Sequence, residues 1–187
     1  MTSTVAPSSS FNVVAGCRPR LAFRTCRSAT RPDVGLCSSS AAFVSLSPGL
    51  MAVLERDDGT VVSHQELGAA GLSAHHAWHA AARLLVPESV EFWVRPASAL
   101  WGATAPNGLE VAGEAARWLA HPMLFAALDN HFHQQLRPQG ELCYLTQNWR
   151  ELFVFAADAA EVAAAIDLPV GACLVRYSLG FPLLALC

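Results

Sequence analysis

The sequence contains no lysine, and all twelve basic residues among its 187 are arginine. Average usage would give a chain of this length roughly ten lysines. A lysine is needed to reach the β- and γ-phosphates in a Walker A loop, to pair with ATP in a protein kinase, and to form a Schiff base with a carbonyl substrate. These three mechanisms are therefore excluded.

Several other functional signatures are missing from the sequence. The six cysteines include no C-x-x-C pair and no zinc-ribbon spacing, so we expect free thiols in a reducing compartment. No G-x-G-x-x-G follows a predicted strand, which argues against a doubly wound dinucleotide-binding fold. No G-x-S-x-G is present, and the acidic residues are scattered along the chain. The sequence thus shows neither a nucleophile signature nor a cofactor motif.

Long apolar runs are also missing, although 53% of the residues are hydrophobic and only 14% are charged. The longest runs, 41–54 and 179–187, are short or broken by Ser, Pro and Gly, whereas a membrane-spanning helix needs about 20 mainly apolar residues. We therefore predict no membrane association. A chain with so few charges is expected to leave apolar surface for a protein partner or for self-association.

Charge is unevenly distributed along the chain. Residues 1–32 carry five arginines and no acidic residue, whereas the remainder carries seven arginines and fifteen acidic residues. We predict a basic Arg/Ser-rich leader over residues 1–32, flexible or forming a short hairpin, and a single α+β domain over residues 33–187. The acidic domain would repel phosphates, so nucleic acid is not an expected partner. The expected location is the cytoplasm, or an organelle if the leader is a transit peptide.

Periodicity predicts the main helices and strands. Apolar residues at helical spacing indicate helices over 73–85, 124–136 and 157–166, with Ser73 as an N-cap. Alternation and turn signals indicate strands over 50–56, 90–95, 99–103, 109–112, 141–146, 152–155 and 173–177, with a hairpin joining the strands on either side of 147–151. The order of elements predicts an α+β fold, with an antiparallel or mixed sheet of about five strands and helices packed on one face.

Histidine is the ligand-type residue that clusters. His75 and His79 are spaced i, i+4, so both could bind one metal ion from the same helix face, and His131 and His133 lie on a later helix. His121 either caps that later helix or joins the metal site. The alternative is that these are solvated surface histidines, because the glutamate of a zincin motif is missing between His75 and His79.

A second group combines tryptophan with arginine, the residue types most enriched in protein–protein hot spots. Trp93 and Arg95 share one face of a predicted strand, and Trp101 lies on the next strand. Trp149 and Arg150 lie in the connection before 152–155. The alternative is that helices cover this face and make the tryptophans part of the core. The two interpretations have equal weight for Trp101 and Trp149, and the core is favoured for Trp93.

Three stretches resemble a family of small uncharacterised bacterial proteins: 71–85 (GLSAHHAWHAAARLL), 121–128 (HPMLFAAL) and 140–155 (GELCYLTQNWRELFVF). In that family a G-[LV]-S helix with an alanine-rich body precedes a sheet, and a proline–arginine–aspartate turn precedes a final apolar strand. Here Arg150-Glu151 stands in place of Arg-Asp, and Gln147-Asn148 in place of the proline. The resemblance covers about residues 50–166. It implies a bacterial cytosolic protein with an α+β fold and supplies no catalytic residue.

Together these observations favour a non-enzymatic accessory or protein-binding domain, chaperone-like in the order of its elements and homodimeric. It would act through the apolar Trp/Arg surface and need no cofactor. The alternative is a metal-dependent enzyme that uses the clustered histidines to hold a divalent metal such as zinc.

Overall fold

The computed structural model describes residues 13–23, 40–86 and 92–186. The strands in these residues are β1 (Cys17–Phe23), β2 (Phe43–Ser47), β3 (Leu50–Arg56), β4 (Val94–Pro96), β5 (Gly108–Val111), β6 (Cys143–Gln147), β7 (Glu151–Phe155), β8 (Ala172–Ser178) and β9 (Phe181–Leu186). The helices are α1 (His64–Ala69), α2 (Ala74–Leu84), α3 (Ser98–Trp101), α4 (Pro122–Leu136) and α5 (Ala159–Ala165). A 3-10 helix (Ala115–Ala120) comes directly before α4.

The strands form two antiparallel sheets. The small sheet has the order β1-β3-β2, and the large sheet has the order β4-β5-β7-β6-β8-β9. The two sheets meet where β2 lies beside β9, and the Ser47 hydroxyl there donates a hydrogen bond to the Pro182 carbonyl. The predicted α+β class, the antiparallel pairing and the β6–β7 hairpin are confirmed. The number of strands is larger than the predicted five, and they are divided between two sheets.

Local sequence explains where α1 and α2 begin. Ser63 and Glu66 form a capping box, in which the Ser63 hydroxyl accepts from the Glu66 N–H and the Glu66 carboxylate accepts from the Ser63 N–H. The Ser63 N–H and the Ser63 hydroxyl both donate to the Glu66 carboxylate, and these two bonds, together with one from Arg56, lower the pKa of Glu66 to about 2. Ser73 caps α2 as predicted, since its hydroxyl accepts from the His76 N–H at 3.2 Å.

Side chains of the central strands alternate between two apolar layers. On one face of the large sheet, Tyr144 and Val154 pack with the 3-10 helix, α4 and the small sheet. On the other face, Leu145 and Phe155 pack with Val162 of α5. Helices therefore cover both faces of this sheet, in contrast to the single covered face that the sequence predicts.

Two strand predictions differ from the structure. The strand predicted over 99–103 is wrong, because Ser98–Trp101 is a short helix whose last N–H groups bond to the Ala97 carbonyl. Alanine and leucine in this segment favour helix over strand. The final strand, β9, is not predicted because Pro182 lies inside it. Proline is accepted there since β9 is the last strand of the sheet. Of the strand predicted over 90–95, residues 90 and 91 lie outside the described residues.

β1 lies inside the range predicted as a separate leader. It pairs with β3 along its whole length, and Leu21 is fully buried in the main core. Residues 17–23 are therefore part of the folded body, and the rest of the predicted leader up to residue 32, apart from 13–16, lies outside the described residues.

The cysteines of the described residues are only partly free thiols. Cys17 and Cys143 are free and Cys173 is disulfide-bonded, so the expectation of free thiols holds only for the first two.

In the described part of the chain, no helix has the length and apolar character needed to cross a bilayer.

Candidate functional site

Three histidines from two distant segments meet at the beginning of α4. Helix α2 buries Ala77, Trp78, Ala81 and Ala82, and this orientation places His75 and His79 along its flank. His121 is the N-cap of α4, and its Nδ1 accepts a hydrogen bond from the Met123 N–H at 3.2 Å. The predicted capping role of His121 is therefore confirmed.

The three rings form a continuous hydrogen-bonded chain from the core to the surface. His121 Nε2 lies 2.8 Å from His79 Nδ1, and His79 Nε2 lies 3.0 Å from His75 Nε2. His121 is 2% exposed, His79 is half-buried and His75 is exposed. We call this group the histidine chain.

The capping bond fixes the direction of every other bond in the histidine chain. Because His121 Nδ1 accepts from Met123, the proton of a neutral His121 must be on Nε2, which donates to His79 Nδ1. His79 then carries its proton on Nε2 and donates to His75 Nε2. His75 consequently carries its proton on Nδ1, at the solvent end. With all three rings neutral, each of these contacts has one donor and one acceptor.

Trp78 holds the histidine chain against α4. Its Nε1–H donates to the Ala120 carbonyl at 2.8 Å, and its ring centroid lies 4.3 Å from that of His121 and 5.0 Å from that of His79. The indole thus fills the space under the imidazoles and excludes water from their inner side. The histidine chain is therefore partly buried and packed against the core.

Burial disfavours the charged form of the inner rings. It is the largest cause that lowers the pKa of His121 to about 4, and the neighbouring His79, His75 and Arg83 act in the same direction. Burial also lowers the pKa of His79, with further contributions from His75, Arg83 and His76. Both inner rings are therefore neutral at neutral pH, as the pattern of hydrogen bonds requires.

The histidine chain contains two of the four predicted metal ligands, His75 and His79, and not the other two. His131 and His133 lie ten and twelve residues beyond His121 on α4, which corresponds to about 15 Å or more along the helix. His133 Nδ1 contacts the Asp129 carbonyl at 3.0 Å, and His131 contacts Gln135 at 2.9 Å.

The two ring nitrogens of His79 contact two different histidines, His121 and His75. The histidine chain therefore does not direct three nitrogens at one point, as a metal site would require. Among residues 13–23, 40–86 and 92–186, no group of three or more His, Cys, Asp or Glu side chains is arranged to hold a metal ion. The geometry assigns these rings to hydrogen bonds with one another.

Part of the predicted Trp/Arg surface is assembled on the outer end of the large sheet. Trp93 is 82% exposed, and the Arg95 guanidinium forms two hydrogen bonds with the Glu110 carboxylate, at 2.5 and 2.8 Å. Trp93, Val94, Arg95, Glu110 and Ala112 line one shallow recess, which we call the Trp93 surface. The tryptophan that the sequence favours as core is thus the most exposed of those predicted.

Trp101 lies next to the Trp93 surface. Its ring packs on Phe153 with centroids 5.7 Å apart, and Phe153 pairs across the sheet with Glu110. Trp101 is half-buried in this contact, while Leu100 beside it is exposed.

Trp149 and Arg150 lie at the turn of the β6–β7 hairpin. Trp149 is only 8% exposed, and its ring packs on Phe23 of β1 with centroids 5.0 Å apart. Its φ of 58° is positive, as is the φ of 51° at Asn148, because the two are the central residues of the tight turn that the Arg150 N–H closes on the Gln147 carbonyl. Arg150 is exposed at the end of the hairpin. The register therefore places Arg95, Glu110 and the Trp101 contact Phe153 on one face of the large sheet, whereas Trp149 packs in the core layer of the other face.

No family model, curated protein or solved structure matches this chain. The resemblance to small bacterial proteins stays a prediction.

One residue that shapes these sites, Glu110, was not identified from the sequence. Glu110 completes the Trp93 surface, and its partner Arg95 is fifteen residues away on the neighbouring strand. The turn sequence 106–108 between them predicts that the two strands are close, but not the register that places Glu110 opposite Arg95. His121 was identified, but nothing in the sequence pairs it with His79.

Proposed function

We propose that this chain is a non-enzymatic protein-binding domain that acts through the Trp93 surface, and that the occupant of this surface is a second copy of the chain. The exposure of Trp93 is the observation that carries the proposal. Burying a tryptophan removes roughly 150–250 Å² from water, which at ~25 cal/mol per Å² corresponds to about 4–6 kcal/mol before the costs of association. An exposed ring of this size beside an arginine has the composition of an interface hot spot.

The backbone of β4 favours docking through side chains rather than through an added strand. The Trp93 carbonyl and the Ala97 N–H bond to β5, so the backbone groups of Val94 and Pro96 point away from the sheet. Proline has no N–H to donate, and its position at an outer edge prevents continuous pairing with another strand. A partner therefore has to recognise the Trp93 ring and the charges beside it.

The charges of the Trp93 surface are self-complementary. Arg95 and Glu110 place one positive and one negative group side by side, next to the exposed ring. In a two-fold symmetric dimer each surface meets its own copy, so Arg95 of one chain can face Glu110 of the other while the two rings pack together. A surface with both signs suits a second copy better than a strongly acidic or basic partner.

Replacing Trp93 with alanine is expected to weaken dimerisation at least about thirtyfold, since truncation of a hot spot costs about 2 kcal/mol or more. Sedimentation equilibrium over a range of micromolar concentrations measures this dissociation constant. Val170→Ala is the matched control, because Val170 is an apolar residue that is also almost fully exposed. It should dimerise as the wild-type chain does. A wild-type chain that stays monomeric, or equal effects of the two substitutions, would contradict the proposal.

A charge-reversal experiment tests whether the occupant is a second copy. Arg95→Glu and Glu110→Arg chains should each be monomeric, because their surfaces carry only one sign of charge. Mixed in equal amounts, they should form a heterodimer with two oppositely charged surfaces. If the mixture stays monomeric while the wild-type chain dimerises, the dimer uses another surface and the proposal fails.

A further inference from the structure

The histidine chain has no place for a fourth proton. Its three acceptor nitrogens are His121 Nδ1, His79 Nδ1 and His75 Nε2, and each already faces an N–H group at 2.8–3.2 Å. The three protons of the neutral rings occupy the two links of the chain and the solvent-facing Nδ1 of His75. Any distribution of four protons over the three rings places two N–H groups opposite each other, either between two of the rings or at the helix cap. One added proton therefore breaks one hydrogen bond.

We propose that the histidine chain is a pH-sensitive latch, which holds the first turn of α4 on α2 while His79 and His121 are neutral. It releases that turn when an added proton is bound at His121 or at the link between His121 and His79. The latch is separate from the Trp93 surface and does not depend on the dimer. It links a solvent-exposed ring, His75, to a buried helix cap, Met123 N–H, through two intervening rings.

The charged groups around the latch favour release on protonation. His75, His76, His79 and Arg83 of α2 are the groups that act electrostatically on the inner rings, and each is positive when charged. The first turn of α4 directs its peptide N–H groups at His121, and this positive end of the helix dipole also opposes an imidazolium.

Within residues 13–23, 40–86 and 92–186, the other elements packed here add no counter-charge. The 3-10 helix contributes the Ala120 carbonyl, which accepts from Trp78, and its Arg117 is paired with Glu55 and Glu114. The β8–β9 turn contributes Gly180, which lies against Pro122.

The released segment carries apolar surface. Met123, in the first turn of α4, is exposed, and so are Leu179 and Phe181, which flank Gly180. A Cβ atom built on Gly180 would come within 2.9 Å of Pro122, so the turn and the helix start are in close contact. Loosening the first turn of α4 therefore changes the apolar surface that this helix and the β8–β9 turn form together.

The first test is the tautomer of each ring, measured by ¹⁵N NMR of the wild-type chain at neutral pH. We expect His121 and His79 with the proton on Nε2 and His75 with the proton on Nδ1. His121 protonated on Nδ1, or charged at neutral pH, would overturn the proposal. This measurement needs no substitution, so it is independent of any effect on folding.

The second test is amide hydrogen exchange at Met123 and Phe125 as pH is lowered from 7 to 5. After correction for intrinsic exchange rates, protection should fall more than tenfold, because the opened turn takes up protons that the closed chain excludes. In His121→Asn, whose side-chain oxygen can cap α4 but does not titrate, protection should not depend on pH. His133→Gln removes a histidine outside the chain and should behave as wild type. Wild-type protection that is flat over this range would overturn the proposal.

Discussion

Replacing Glu55 with glutamine is expected to lower the free energy of unfolding by about 3–5 kcal/mol. Glu55 is only 5% exposed and lies between two arginines from different elements, with Arg20 of β1 at 3.1 Å and Arg117 of the 3-10 helix at 3.1 Å. Removing the negative charge leaves two partly buried guanidinium groups facing a neutral amide. Arg117 keeps its contact with Glu114, but Arg20 loses its carboxylate partner, and an unpaired buried charge costs more than the intact pair contributes.

Urea denaturation at neutral pH, followed by circular dichroism, measures the effect of Glu55→Gln. Glu141→Gln is the matched control, because Glu141 and Arg176 form an ion pair at 3.8 Å with both side chains exposed. Such pairs contribute about 0–1 kcal/mol. If the two substitutions lowered the free energy of unfolding equally, the burial of Glu55 would not be the cause of its effect.

Glu55 belongs to an ion-pair network that joins β1 to the rest of the fold. Arg20 and Arg18 belong to the basic N-terminal segment, and Arg18 pairs with Glu114 and, at 3.6 Å, with Asp57. Arg117 contacts Glu114 as well as Glu55, so the ion pairs form one network across β1, β3 and the 3-10 helix. At least two arginines that composition suggests for a targeting leader are therefore used to fasten β1 to the body.

Replacing Gly108 with alanine is expected to destabilise the fold by about 1–3 kcal/mol or more. A Cβ atom at Gly108 would lie 2.5 Å from Cδ1 of Phe155 and 2.8 Å from the Val154 carbonyl oxygen. Phe155 is fully buried in the layer under α5, and Val154 O is backbone in the paired strand β7. Neither neighbour can move away without disturbing the sheet.

Gly68→Ala is the control, since a Cβ atom at Gly68 in α1 would meet nothing within 4 Å. Alanine favours helix over glycine, so this variant should gain roughly 0.4–1 kcal/mol. The same chemical change should thus have opposite signs at the two positions, in thermal or urea unfolding. A Gly108→Ala chain as stable as wild type would show that β5 can move away from Phe155.

Local features of the sequence predicted most of the helices and several strands. The helix ends at Ser63, Ser73 and His121 depend on contacts with residues two or three positions away, which any reader of the sequence can see. The β6–β7 hairpin is local in the same sense. Predictions failed where local signals conflict with context, as for the helix Ser98–Trp101 and the proline-containing strand β9.

The candidate sites were predicted only in part, because residue type indicates a function but burial depends on the fold. The sequence identified Trp93 and Trp149 by type and gave them the wrong relative exposure. Trp149 is buried because β1 brings Phe23 to it, a contact between residues more than a hundred positions apart. Trp93 is exposed because β4 is the outermost strand of its sheet.

The sequence by itself determined which mechanisms are excluded, the α+β class and the helix caps. Each of these depends on composition or on neighbours along the chain. The tertiary structure decided that His79 meets His121 across 42 positions, that Glu55 lies between Arg20 and Arg117, and that the basic N-terminal segment contains a core strand. Such pairings follow from the order and register of strands and from helix packing. Many different folds could share the same local pattern, and only the folded chain selects which distant residues meet.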